Sequence, residues 1–199
     1  MLNLVKGHRV SLVENLFESF TKLTEHHLTA NVHAKKYSTF FNTLLRFMAS
    51  PSFLFWNRLS LLIEKKVIAK NIIKESHKDV YYIDGCSREE CLALLIRHGN
   101  LLVNDGLSKF GFGGHQSHDE IMLDSYNVVT IYSKELSKFN DFFEPHNIQF
   151  VEELVTAWKT FSKTSPGISE IYECNGKTVY DLPEELAEWG IYLAETRTE

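Results

Sequence analysis

The stretch Phe53-Leu-Phe55-Trp56-Asn-Arg58-Leu59-Ser-Leu-Leu62-Ile63-Glu-Lys65-Lys66-Val67-Ile-Ala-Lys70-Asn-Ile72-Ile-Lys74 decides how the first part of this chain is read. Phe55, Trp56, Leu59, Leu62, Ile63, Val67 and Ile72 recur at helical spacing, which predicts a helix with one apolar face. Arg58, Lys65, Lys66, Lys70 and Lys74 then line its polar face. Ser50-Pro51 punctuates the chain just before, since proline suits a first helical turn and disfavours helix at the residue preceding it.

Two earlier runs read the same way. Val10, Val13, Leu16, Phe17, Phe20 and Leu23 give one helical stripe. Asn31 is placed to cap a second helix, which turns Tyr37, Phe40, Phe41, Leu44, Leu45 and Met48 toward a core. Residues 1–78 are therefore read as a helical module. They carry 12 Lys and Arg against 5 Glu, a net charge of +7.

The pattern changes at Lys78-Asp79. Val80 to Ile83 reads as a short strand, because β-branched and aromatic side chains suit a pleated surface. Ser87-Arg-Glu-Glu90 is a capping box opening a helix to about His98, with Gly99 placed to stop it. Glu120–Leu123 and Val128–Tyr132 read as strands. Ser133 is placed to cap a helix through Leu136, Phe139, Phe142 and Phe143, and a further helix follows over Val151–Phe161. Asn175-Gly176 joins a hairpin between Ile168–Cys174 and Lys177–Tyr180, and Asp181 starts a last short helix. Residues 79–199 carry 9 Lys and Arg against 21 Asp and Glu, a net charge of −12.

The expected fold is α+β or mixed α/β. A basic helical N-terminal part, 1–78, packs on or beside a small mixed sheet with helices, an acidic domain at 79–199. The two parts share one core or stand apart. No run of apolar residues is long enough to span a membrane, and no secretory signal opens the chain. Cys86, Cys91 and Cys174 lack CxxC spacing, which fits reduced thiols in the cytoplasm and argues against a zinc site or a disulfide scaffold.

The densest candidate site is Asp105-Gly-Leu-Ser-Lys109-Phe110-Gly-Phe112-Gly-Gly-His115-Gln-Ser-His118-Asp119-Glu120. Read as a partner- or ligand-binding loop, it offers Asp105, Lys109, Phe110, Phe112, His115, His118 and Asp119. Glycines let a backbone approach a ligand closely. Read as a divalent metal site, it offers His115 and His118 with Asp119 or Glu120 as oxygen ligand or base. HxxHD on a loop lacks the helical frame that makes HExxH specific. Its glycines match neither GxGxxG nor GxxxxGK[ST], so no nucleotide site is assigned. Cys86, just before a helix start, is placed where a thiolate is stabilised, but no catalytic partners are assigned to it. The lysine-rich stretch, Arg58, Lys65, Lys66, Lys70 and Lys74, suits nonspecific phosphate contacts.

No constellation fixes a reaction and no cofactor is assigned. The favoured reading is a non-catalytic cytoplasmic protein-binding domain, of inhibitor or immunity type, that neutralises a basic protein through an acidic surface. Its alternatives are a metal-dependent enzyme using loop 105–120 and a nucleic-acid-associated protein using the lysine stretch. No membrane contact is expected.

Overall fold

The computed structural model describes residues 2–11, 16–48, 53–59, 64–68, 71–75 and 77–198. In chain order the strands are β1 His8–Arg9, β2 Ser19–Thr24, β3 His27–Asn31, β4 Phe53–Leu59, β5 Glu64–Ile68, β6 Asn71–Glu75 and β7 His77–Asp84. They continue with β8 Ser108–Gly113, β9 Glu120–Leu123, β10 Val128–Tyr132, β11 Gln149–Phe150, β12 Ile168–Ser169 and β13 Tyr192–Thr198. The α-helices are α1 Tyr37–Phe47, α2 Arg88–Asn104, α3 Asn140–Phe143 and α4 Leu182–Glu185.

Nine strands form one mixed sheet in the order β11-β2-β3-β10-β9-β8-β4-β7-β13. Every neighbouring pair is antiparallel except β11 with β2. β5 pairs only with β6, and β1 only with β12.

Side chains alternate across a strand, so each strand supplies two rows. The inner rows run Ile131–Ile121–Phe112–Leu54–Ile83 and Val129–Leu123–Phe110–Trp56–Tyr81 across β10, β9, β8, β4 and β7. All are buried. α1 and α2 cover this side: the Phe41 ring lies 5.1 Å from Phe110 and 6.0 Å from Phe112. Leu94, Leu101 and Leu102 of α2 join the same core, as do Phe139, Phe142, Val179 and Leu182. A second, smaller core of Leu2, Leu16, Tyr126 and Ala157 belongs to chain that crosses the opposite face at the β2–β3 end. There Asn31 Nδ2 donates to the carbonyls of Phe17 and Val155, and Thr21 Oγ1 to that of Glu152.

The helical N-terminal part is overturned. Among the described residues, 8–31 carry three strands, and 53–75 carry three where one long helix is expected, while the strand expected at Val80–Ile83 forms within β7. The sheet is large rather than small. The physical reason is that Phe53–Trp56 is apolar on both faces of a strand, which blurs a period of two into one that also fits a helix. Ser50-Pro51 and Val13 lie outside the described residues. α1 does form with Tyr37, Phe40, Phe41, Leu44 and Leu45 buried, but Asn31 ends β3 instead of capping it.

Later elements differ too. The capping box at Ser87 is made in full, yet α2 runs past Gly99 to Asn104. Cys86 and Cys91 hold the N′ and N4 positions of that helix, so the pair serves as its hydrophobic staple. The expected helix over 151–161 reduces to one 3-10 turn, Ala157–Thr160. Asn175 and Gly176 do turn with φ of 54° and 74°, but only one bridge, Cys174 to Lys177, follows. Ile168–Ser169 pairs instead with β1. β13 was not foreseen.

Candidate binding face

Glycine-rich Gly106–Gly114 is mostly strand β8, and alternation sends its residues to opposite faces. Phe110 and Phe112 enter the core. Gly111 and Gly113 face outward, opposite Phe55 and Phe53 of β4. A Cβ on Gly113 would meet Phe53 Cζ at 2.1 Å, and one on Gly111 would meet Phe55 Cζ at 2.4 Å. The two phenyl rings therefore lie down across β8, and only glycine leaves them room.

This packing paves the outer face. One row runs Tyr132–Glu120–Gly113–Phe53–Asp84 across five strands. The next runs Thr130–Met122–Gly111–Phe55–Tyr82–Tyr192 and reaches β13. A third places Lys109, Asn57, Val80 and Glu195 in register. Tyr82 stands 5.9 Å from Phe53 and 6.3 Å from Tyr192, ring to ring. Phe53, Phe55, Asn57, Val80, Tyr82, Glu120, Met122 and Arg197 surround a shallow hollow of about 240 Å³.

The charges on this face divide into paired and unpaired. Lys109 Nζ lies 2.5 Å from Asp124, whose other oxygen accepts from Thr130. Arg197 is bonded to Glu195. Asp84 accepts from the Tyr192 hydroxyl at 2.6 Å and lies 3.9 Å from His115 Nε2. Glu120 is half-buried, and burial pushes its carboxyl above the ordinary value. Among the described residues no cation reaches salt-bridge distance of it. Beyond Asp84 the face turns into an acidic end, where Asp84, Glu90, Glu188 and Trp189 line a second cavity beside Gly85.

The residues singled out in the sequence disperse. Asp105 is buried and accepts from the backbone of Leu107 and Tyr172, anchoring the end of α2; burial raises its carboxyl despite those bonds. Asp119 is buried and holds Ser133 Oγ at 2.6 Å and Lys138 Nζ at 2.5 Å. His118 sits in the turn between β8 and β9 with φ 56°. His115 stacks on Phe53, with ring centroids 4.8 Å apart. Among the described residues, no three His, Cys, Asp or Glu side chains converge to hold a metal ion.

Arg58 faces inward. Its guanidinium lies 3.5 Å from Asp79 and 2.8 Å from the Tyr81 hydroxyl, over the rings of Trp56, Tyr81 and Tyr180. In the β5–β6 register Lys65 is the backbone partner of Lys74 and Lys66 that of Ile73. Lys70 lies outside the described residues. Cys86 is buried, and its hydrogen bond with Cys91 draws its thiol below the ordinary value while pushing Cys91 up.

Sequence reasoning missed Phe53, Phe55 and Tyr82 as a surface. The signal was the matched alternation of Phe53-Leu-Phe55 with Gly111-Phe-Gly113, large over small on one face. Among the described residues no helix is long and apolar enough to cross a membrane. No protein-family model matches the chain, and searches of curated proteins and of solved structures find nothing similar to it.

Proposed function

We propose that this chain is a non-catalytic protein-binding domain that holds a basic partner on the open outer face of its sheet, as an inhibitor or immunity-type protein does. The observation that carries the reading is the aromatic floor of half-buried Phe53 and Tyr82 and exposed Tyr192, which runs into the acidic end at Asp84, Glu90 and Glu188. Tyrosine and phenylalanine are the side chains that anchor interfaces once their surroundings exclude water. Carboxylates at the rim speed encounter with a basic surface and reject acidic ones. A cavity of about 450 Å³ between α1 and α2 has Lys35, Asn42, Asn100 and Asn104 in its lining and offers no carboxylate. The cytoplasm is the compartment that keeps the three thiols reduced.

The test is retention of partner protein from extracts of the expressing cells at moderate salt, after nuclease treatment. The wild type retains a stoichiometric basic protein, and the Tyr82→Ala/Tyr192→Ala double variant loses it while melting at a similar temperature. Retention unaffected by the double variant, or material that disappears with nuclease, contradicts the proposal.

A further inference from the structure

The hollow in the outer face has a composition that points to one kind of guest. Its walls are the Phe53, Phe55 and Tyr82 rings and the Met122 thioether. Ring faces carry negative potential and attract cations, most strongly where water is excluded. Glu120 supplies a negative charge at the rim with no cation among the described residues at salt-bridge distance, whereas Arg197, which also lines the hollow, is committed to Glu195, and Lys109, in the third register row, to Asp124. Its row neighbours are Tyr132 and, across Gly113, Phe53, so the carboxylate sits between aromatic groups. The absent side chain at Gly113 lets the Phe53 ring lie flat beside it. An apolar guest would leave the Glu120 carboxylate desolvated and unpaired, and an acidic one would be repelled by it.

We infer that this hollow is a cage for an arginine side chain of the basic partner, the guanidinium stacking on Phe53 or Tyr82 and donating to Glu120. Arginine fits better than lysine. Its guanidinium is planar, stacks on rings and forks onto a carboxylate, and it sheds water more easily than an ammonium. Asn57 adds an amide carbonyl at the opposite wall. The inference rests on the proposed binding face and names the chemistry that the face reads.

The chain carries its own reporter. Of its 3 methionines, Met122 lines the hollow and Met48 lies in the core. The full chain, labelled at the methionine methyls, is titrated with three peptides of about ten residues. They are identical except for a central arginine, lysine or citrulline, the last being arginine's uncharged isostere. The arginine peptide is expected to move the Met122 methyl resonance saturably and leave Met48 in place. Citrulline is expected to do neither, and lysine to bind more weakly than arginine. Glu120→Gln should weaken the arginine peptide by about five-fold or more, as loss of a charge-assisted contact does. Glu152→Gln, beside β2 at the end of the sheet away from the hollow, should not. Tyr82→Leu gives a second route to the same loss by removing a ring. A Met122 resonance that ignores the arginine peptide, answers citrulline equally, or is indifferent to Glu120→Gln overturns the cage. If the cage falls while the wild type still retains a basic protein through Tyr82 and Tyr192, the binding-face reading stands; if that retention is also absent, both fall.

Discussion

The two faces of the central sheet are built from the same five strands by opposite rules. On the inner face Leu54 and Trp56 meet Phe112 and Phe110, large against large, beneath α1 and α2. On the outer face Phe53 and Phe55 meet Gly113 and Gly111, large over glycine. The inner arrangement buries area and stabilises the fold, each fully buried side chain contributing about 2–3 kcal/mol. The outer arrangement gives up packing volume in order to lay rings flat and leave a hollow. A stretch apolar on both sides therefore builds both a core and the proposed binding face.

The sharpest way to break this comparison is to remove one ring from each face. Phe112→Ala, from a fully buried site, should cost about 3–5 kcal/mol. Phe53→Ala should cost less than half of that, because its ring is only partly covered. Equal costs in denaturant unfolding would mean that both faces are core.

A second probe exploits pH at the covered end of the outer face. His8 stacks on Tyr126 at 4.2 Å, bonds Ser169 and is held neutral by burial, its pKa lowered to about 4 from 6.5. The unfolded chain thus takes up this proton first. The stability contributed by neutral His8 is complete above pH 6.5 and is lost as pH falls toward 4, up to roughly 3 kcal/mol. His8→Phe, which keeps the stack, should remove that part of the slope. An unchanged pH profile would show that His8 does not titrate with unfolding.

The third is a double-mutant cycle. Gly113→Ala should cost about 1–3 kcal/mol, because every close atom around the added Cβ belongs to the Phe53 ring. In a Phe53→Ala background that cost should nearly vanish. Additive costs would show that the glycine answers to something other than the ring. The smallest effect lies away from both faces: Ser87→Ala should cost about 1 kcal/mol by removing the capping box of α2, and leave partner retention unchanged. A change in retention would tie α2 to binding.

The comparison also explains what could be read beforehand. Strands β9 and β10, the capping box and the apolar face of α1 were legible because each carries a signal within a few residues. So was Val80–Ile83 of β7; β4 to β6 were not, because Phe53–Trp56 is apolar on both faces of a strand, so its pattern has no single period. Gly111 and Gly113 invited a loop; their reason lies in Phe53 and Phe55, more than fifty residues away along the chain. Arg58 looked like a surface cation, yet in a strand its position falls on the inner row with Trp56, beside Asp79. Glu120 stood out in the sequence as a carboxylate near two histidines. Its meaning changes once Tyr132 and Phe53 become its neighbours.

The account's central claim is that the partner sits on the outer face and the helices serve the core. A photoreactive amino acid placed at Tyr192 or Tyr132, exposed on the outer face, or at Ile96, exposed on α2, tests it most directly in the expressing cells. The account predicts one basic protein adduct from Tyr192 and Tyr132 and none from Ile96. An adduct from Ile96 alone, or equal yields from all three positions, would contradict it.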